Sequence, residues 1–264
     1  LAPRLLEMGH ELKAIGCSER PVDPRIEVLR YSYAKPERQG IHGLSHELDE
    51  WVQRGVAAAG LAQQLKERGW GPDVMLAHPG WGESLFLKEV FDTTPLVIWP
   101  ELWLRDEHMG AARGQRCDLG QRYYLRVKNW LLEGAMAQCD LAMLPTQYQA
   151  NCFPEQWRSR IRVLHEGVDE AFLGLSRLQQ LDLGQGQVLG PDVPVLTYAS
   201  RNLEPLRGFD RFLRGLVALQ KRHGQVQTLI AGAWGSSYSG TPSEEGKTWK
   251  DLALEQVAEQ LDLS

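Results

Sequence analysis

Cysteine is scarce in this 264-residue chain, and its four copies, Cys17, Cys117, Cys139 and Cys152, lie far apart with no paired spacing. That pattern argues against a zinc ribbon or a disulfide framework and fits a reducing, cytoplasmic setting. No apolar run approaches the roughly 20 residues of a membrane-spanning helix, and no signal peptide is legible at the start. Positive charge is not in excess. Lys and Arg number 29 against 34 Asp and Glu, a net charge of −5, which disfavours general nucleic-acid binding because that affinity rests on surplus cations. Any phosphate the chain binds is therefore expected to be held locally. Gly-x-Ser-x-Gly does not occur, so no serine nucleophile sits on a strand-to-helix elbow. No internal repeat is present. His42 and His46 have metal-like spacing, but Gly43 and Ser45 place them across a helix start with no third ligand at reach, and no metal or other cofactor is expected.

What is present reads as an α/β protein. With 43% hydrophobic residues, a chain of this length can bury one large core or two modest ones. Short apolar runs at 11–16, 26–33, 72–78, 95–101, 141–146 and 161–167 predict strands. Periodic stretches at 1–9, 45–68, 84–91, 119–138 and 146–153 predict helices between them. Ser45 is the expected N-cap of the long second helix and Gly69 its stop. This alternation predicts a parallel sheet with helices on both faces and ligands at the carboxyl ends of strands, where His78, Glu101, Pro145 and His165 fall. Residues 170–193, rich in Gly, Gln and Pro, read as a connection. A second alternation follows, with strands at 195–199 and 226–232, a helix at 209–222, a long loop at 233–247 and a last helix at 248–261. The expected domains are thus 1–169, the connection 170–193, and 194–264.

The turn between strand 195–199 and helix 209–222 holds Arg201, Glu204, Pro205, Arg207 and Gly208. Two forked guanidiniums at a helix start suit a diphosphate, since their donors match phosphate oxygens and the helix adds unpaired N–H groups. A solvated, Arg-rich turn is the plainer reading of the same residues.

Taken together, LAPRLLEMGHEL, PDVMLAHPGWGESLFLKEVF, FPEQWRSRIRVLHEGVD and LTYASRNLEPLRGFDRFLRGL resemble glycosyltransferase family 4, in particular its members with an HPGWGE loop and a RNLEP-x-RGF turn. The resemblance implies a GT-B fold of two Rossmann-like domains, the first on the acceptor side and the second for the donor, with the active site in the cleft between them. It implies sugar transfer from a nucleotide-diphosphate sugar with retention of configuration and no essential metal. Arg201 and Arg207 match the family's cations at the diphosphate, with Arg where Lys is more usual before Gly208, and Gly208 lets the backbone approach. His78 matches the family's strand-end histidine, facing the donor sugar and acceptor. Gly80, Gly82, Glu101 and Gly232 are candidate nucleotide or acceptor contacts. Glu166 and Gly167 match the segment joining the domains, a hinge, although many relatives have Asn in place of Glu166.

The resemblance also marks what is missing. Leu1, Leu5 and Leu6 open a helix with no strand before it, and the family's glutamate-bearing donor motif is not reached, so the second domain is expected to be incomplete. A non-catalytic fragment or binding module derived from such an enzyme is the alternative to an active transferase. The acceptor is expected to be a carbohydrate or lipid-linked; nine Trp are available for peripheral contact at the inner membrane face, although buried aromatic packing is the commoner use of Trp.

Overall fold

In the computed structural model the described residues are all except 35–38, 110–116, 169–172, 174–179, 185, 191, 225, 238, 241, 243, 263 and 264. They form two units, Leu1–Asp106 with Cys117–Gly167, and Val168–Ser264 with Glu107–Arg116.

The first unit opens with helix α1 (Ala2–Glu7), which Gly9 closes at φ +89° while its N–H donates to Leu6 O and that of His10 to Leu5 O. This is a Schellman stop, the left-handed residue freeing two amides to cap the last carbonyls. Strands β1 (Lys13–Gly16) and β2 (Glu27–Arg30) pair in parallel. Helix α2 (His46–Glu67) follows and ends in the same way, with Gly69 at φ +79° and Trp70 N–H on Leu65 O. Its start differs from the expectation. Ser45 makes no side-chain cap; a 3-10 turn, Gly43–Ser45, precedes the helix, and His42 Nδ1 caps it by accepting from Leu44 N–H at 3.3 Å. His46 Nε2 meets Ile41 O at 3.1 Å, so both histidines serve local backbone.

Four further parallel strands lie side by side in chain order: β3 (Met75–Ala77), β4 (Leu96–Ile98), β5 (Leu141–Leu144) and β6 (Ile161–Val163). Between them run α3 (Leu87–Val90), α4 (Leu119–Gln138) and α5 (Gln147–Cys152). The predicted helix 84–91 shrinks to one turn because Gly82 and the residues after it form tight turns against α2. Leu96, Ile98, Ala142 and Leu144 from the strands close on Met136, Phe153 and Ala62 to make the core. A capping box of Asp118 and Gln121 starts α4.

In the second unit, β7 (Leu181–Gly184) and β8 (Gln187–Leu189) form an antiparallel hairpin where the sequence suggested an irregular connection. Gly184 and Gly186, at φ +83° and +81°, turn the chain there, a role that composition alone does not separate from a linker. Strand β9 (Val195–Asn202) pairs in parallel with β10 (Gln227–Ala233), and α6 (Phe209–His223) and α7 (Trp249–Glu255) pack through Phe209, Leu213, Leu216, Val217 and Ala253, joined by Val257 just after α7. No described helix is long and apolar enough to cross a membrane.

Candidate functional site

The register Ala77↔Ile98 brings the carboxyl ends of β3 and β4 together, and with them two residues singled out in the sequence. His78 starts the 3-10 turn Pro79–Trp81, and its Nδ1 accepts from Gly80 N–H at 3.2 Å. Its Nε2 lies 3.3 Å from Glu101 Oε1, with both side chains open to solvent at 39% and 65%. Gly80 is needed for this pose, because a Cβ there would stand 2.7 Å from the His78 ring.

The rest of the HPGWGE loop is bound to α2. Glu83 accepts from Arg54 Nη2 at 2.5 Å, from Arg54 Nε at 3.2 Å and from the Tyr31 hydroxyl at 2.7 Å. The Arg54 guanidinium also lies over the rings of Tyr33 and Trp81, 5.2 and 5.4 Å from their centroids. Burial and then the Glu83 carboxylate push the Tyr31 hydroxyl well above the ordinary phenol range, so it stays a donor. Gly82, read as a candidate ligand contact, sits at φ +99° with its Cα facing the Trp51 backbone.

Around the β9–α6 turn the structure corrects the strand boundary. β9 runs on to Asn202, so Arg201 belongs to the strand and not to the turn. The pairing jumps from Ala231↔Ala199 to Ala233↔Asn202, a bulge in which Ser200 and Arg201 oppose Gly232 alone. Bulges re-aim side chains, and Arg201 is exposed with no ion pair or hydrogen bond among the described residues. Gly232 is explained by the bulge, since a Cβ would meet Ser200 O at 2.9 Å and Leu203 at 2.6 Å. Arg207 ends the 3-10 turn Pro205–Arg207, 38% exposed, with Nε 3.8 Å from Glu204 Oε1. Gly208, at φ +78°, closes that turn and begins α6.

Sequence reasoning missed Glu204 as a structural anchor. Its side chain is fully buried, and Oε2 accepts from Ser237 N–H and Ser239 N–H at 3.0 Å and from the Ser236 hydroxyl at 3.1 Å. Asn202 adds a bond to Ser237 Oγ, and Leu206 N–H donates to Ser239 Oγ at 3.1 Å. The serine-rich loop after β10 is thereby fastened to the RNLEPLRGF turn. The only signal in the sequence was a carboxylate beside a run of serines 32 residues later, which pairing in space alone makes meaningful. Glu204→Ala is expected to lower stability by about 2–4 kcal/mol in urea denaturation, with Glu204→Gln intermediate, because charged acceptors of buried N–H groups are costly to remove.

His165 Nδ1 accepts from Gly167 N–H at 3.0 Å, and Gly167, at φ +81°, is the last residue of the first unit. Glu166 beside it is exposed. Asp169, the end of that sequence motif, lies outside the described residues.

The fold and its charged strand ends define a mixed α/β protein of parallel strands and connecting helices. A model of the glycosyl transferase family 4 group matches residues 8–173, and the chain belongs to that family. Among solved structures, one titled S. aureus MnaA-UDP co-structure is similar at a TM-score of 0.39 and 12% identity. That match covers 96% of this chain and 66% of the other, so the chain spans just under two thirds of its length. No curated protein matches the chain.

Proposed function

We propose that the chain is the acceptor-side domain and the first part of the donor domain of a retaining, metal-independent glycosyltransferase of GT-B type. It moves a sugar from a nucleotide-diphosphate donor to a carbohydrate or lipid-linked acceptor. The observation that carries this reading, beside family membership, is the pair of arginines around the β9–α6 turn, one of them aimed by a bulge and unpaired among the described residues.

Breaking the bond between the sugar C1 and the diphosphate oxygen leaves the electron pair on the nucleoside diphosphate, while the acceptor oxygen bonds C1 and gives up its proton. Negative charge grows on the diphosphate, and Arg201 and Arg207 stabilise it where other enzymes use a metal ion. Gly208 keeps the backbone close, and the start of α6 adds N–H donors. In the first unit His78 hydrogen-bonds and orients the reacting sugar, with Gly80 and Glu101 beside it. The hinge reading of Glu166 and Gly167, the nucleotide or acceptor reading of Gly82 and Gly232, and contact with the inner membrane face belong to the same proposal.

The test is turnover. Nucleoside diphosphate release is measured with a panel of nucleotide sugars and acceptors, and the anomer formed is read by proton NMR. His78→Ala is expected to lower kcat about 100-fold or more while leaving nucleoside diphosphate binding unchanged. Inversion of configuration, or an undiminished His78→Ala, overturns the mechanism. Binding without turnover under every acceptor makes the chain a nucleotide-binding module.

A further inference from the structure

Glu101 is the one described non-glycine residue with positive φ, at +56°. Leu102 N–H donates to Pro100 O at 2.7 Å across it, which makes a γ-turn of the strained, positive-φ kind. Such conformations persist only where the surroundings impose them, and here they do. Gln149 Nε2 holds Glu101 O at 2.9 Å from the start of α5. Asn129 on α4, itself buried, brackets Leu104 by accepting its N–H at 3.0 Å and donating to its O at 2.9 Å. Arg105 reaches the end of α5 and donates to Asn151 O and Cys152 O, both at 2.7 Å. The opposite side is equally fixed, since Glu83, Arg54 and the Gly82 packing hold the loop that carries His78. Two independently anchored loops thus set one carboxylate against one imidazole.

We propose that Glu101 is the positioning residue of His78. Gly80 N–H occupies the Nδ1 lone pair, so in the neutral ring the proton is on Nε2, and the Glu101 carboxylate facing Nε2 holds that tautomer and the ring plane. A consequence for the chemistry follows: neither ring nitrogen of neutral His78 has a free lone pair, so His78 does not take the acceptor's proton, and its single N–H, on Nε2, reaches a substrate oxygen only by sharing with Glu101. The strain at Glu101 then has a purpose, since a relaxed backbone would not aim the carboxylate at the ring.

Two other histidines serve as internal references. His42 and His165 accept the same kind of bond from the N–H two residues on, at 3.3 and 3.0 Å, yet among the described residues no carboxylate oxygen stands within 4 Å of a ring nitrogen of either as it does for His78.

The experiment is long-range proton–nitrogen NMR on histidine-labelled protein, which reports the tautomer of each ring. In the parent protein His78 is expected in the Nε2–H form with sharp signals. Glu101→Ala is expected to broaden them or mix the tautomers, and Glu101→Gln to restore most of the parent spectrum, because its amide oxygen still faces Nε2–H. His42 and His165 are expected to stay unchanged in all variants. Glu101→Gly controls for folding: it suits the positive φ, so Tm is expected at or above the parent's while the His78 signals change as in Glu101→Ala. An Nδ1–H ring in the parent, or His78 signals identical in parent and Glu101→Ala, overturns the proposal. The kinetic side rests on the role of His78 proposed above: kcat in Glu101→Ala is expected about 10- to 100-fold lower with KM little changed. If the spectra respond and kcat does not, the positioning stands and the role of His78 in turnover falls.

Discussion

Gly82→Ala is expected to destabilise the protein by about 3–6 kcal/mol, among the largest effects of any single methyl group added here. Two costs add. The backbone sits at φ +99°, which costs a residue with a Cβ about 1–3 kcal/mol. The new methyl would also stand 2.2 Å from Trp51 O and 2.6 Å from Trp51 Cα, atoms of a helix backbone that cannot move aside as a side chain can. Helix α2 would have to shift as a body, and Gly55 tightens the constraint from the other side, since a Cβ on it would lie 2.8 Å from Gly82 O. Urea denaturation is the measurement. A loss below about 1 kcal/mol would show that the loop and helix are not pressed together as described. Because the HPGWGE loop carries His78 at its start, any folded Gly82→Ala protein is also expected to lose order at that ring.

Arg201→Ala and Arg207→Ala are each expected to weaken nucleoside diphosphate binding about 10- to 100-fold, as about 1.5–3 kcal/mol is lost per charge-assisted hydrogen bond. Calorimetry with several nucleoside diphosphates measures this. The structure separates binding from folding for Arg201: its side chain is exposed and unpaired among the described residues, so Arg201→Ala is expected to change stability by less than about 0.5 kcal/mol. Arg207 is different, because its Nε lies near the buried Glu204 carboxylate, an ion pair that Arg207→Ala removes. Arg207→Lys, which keeps the charge, is expected to lose less than Arg207→Ala. If both alanine variants bind as tightly as the parent, the diphosphate assignment is wrong and the turn is a solvated one.

The long helices were legible because their signals are local. Helix α4 begins and ends where its apolar periodicity places it, and α2 stops at Gly69 because only a residue at ease with positive φ closes a helix in that way. Short elements were less legible. The helix expected at 84–91 survives as Leu87–Val90, since the chain before it is bound to α2 through Glu83 and Gly82, and no periodicity reports a contact with a residue some 30 positions earlier. The hairpin at 181–189 was invisible for a similar reason, as a Gly- and Gln-rich stretch has the composition of a linker whether or not its strands pair.

The candidate site divides along the same line. By itself the sequence determined the alternation of strands and helices, the strand-end places of His78 and Glu101, and the cations around the start of α6, because each depends on neighbours a few residues away. Only the tertiary structure decided that His78 faces Glu101 at 3.3 Å, that Arg201 projects from a bulge, that Glu204 is a buried anchor, and that Gly82 lies against the Trp51 backbone and Gly232 against Ser200 O and the Leu203 side chain. These depend on strand register and on contacts between residues 20 to 35 positions apart, where direction in space and not residue type settles which side chains meet.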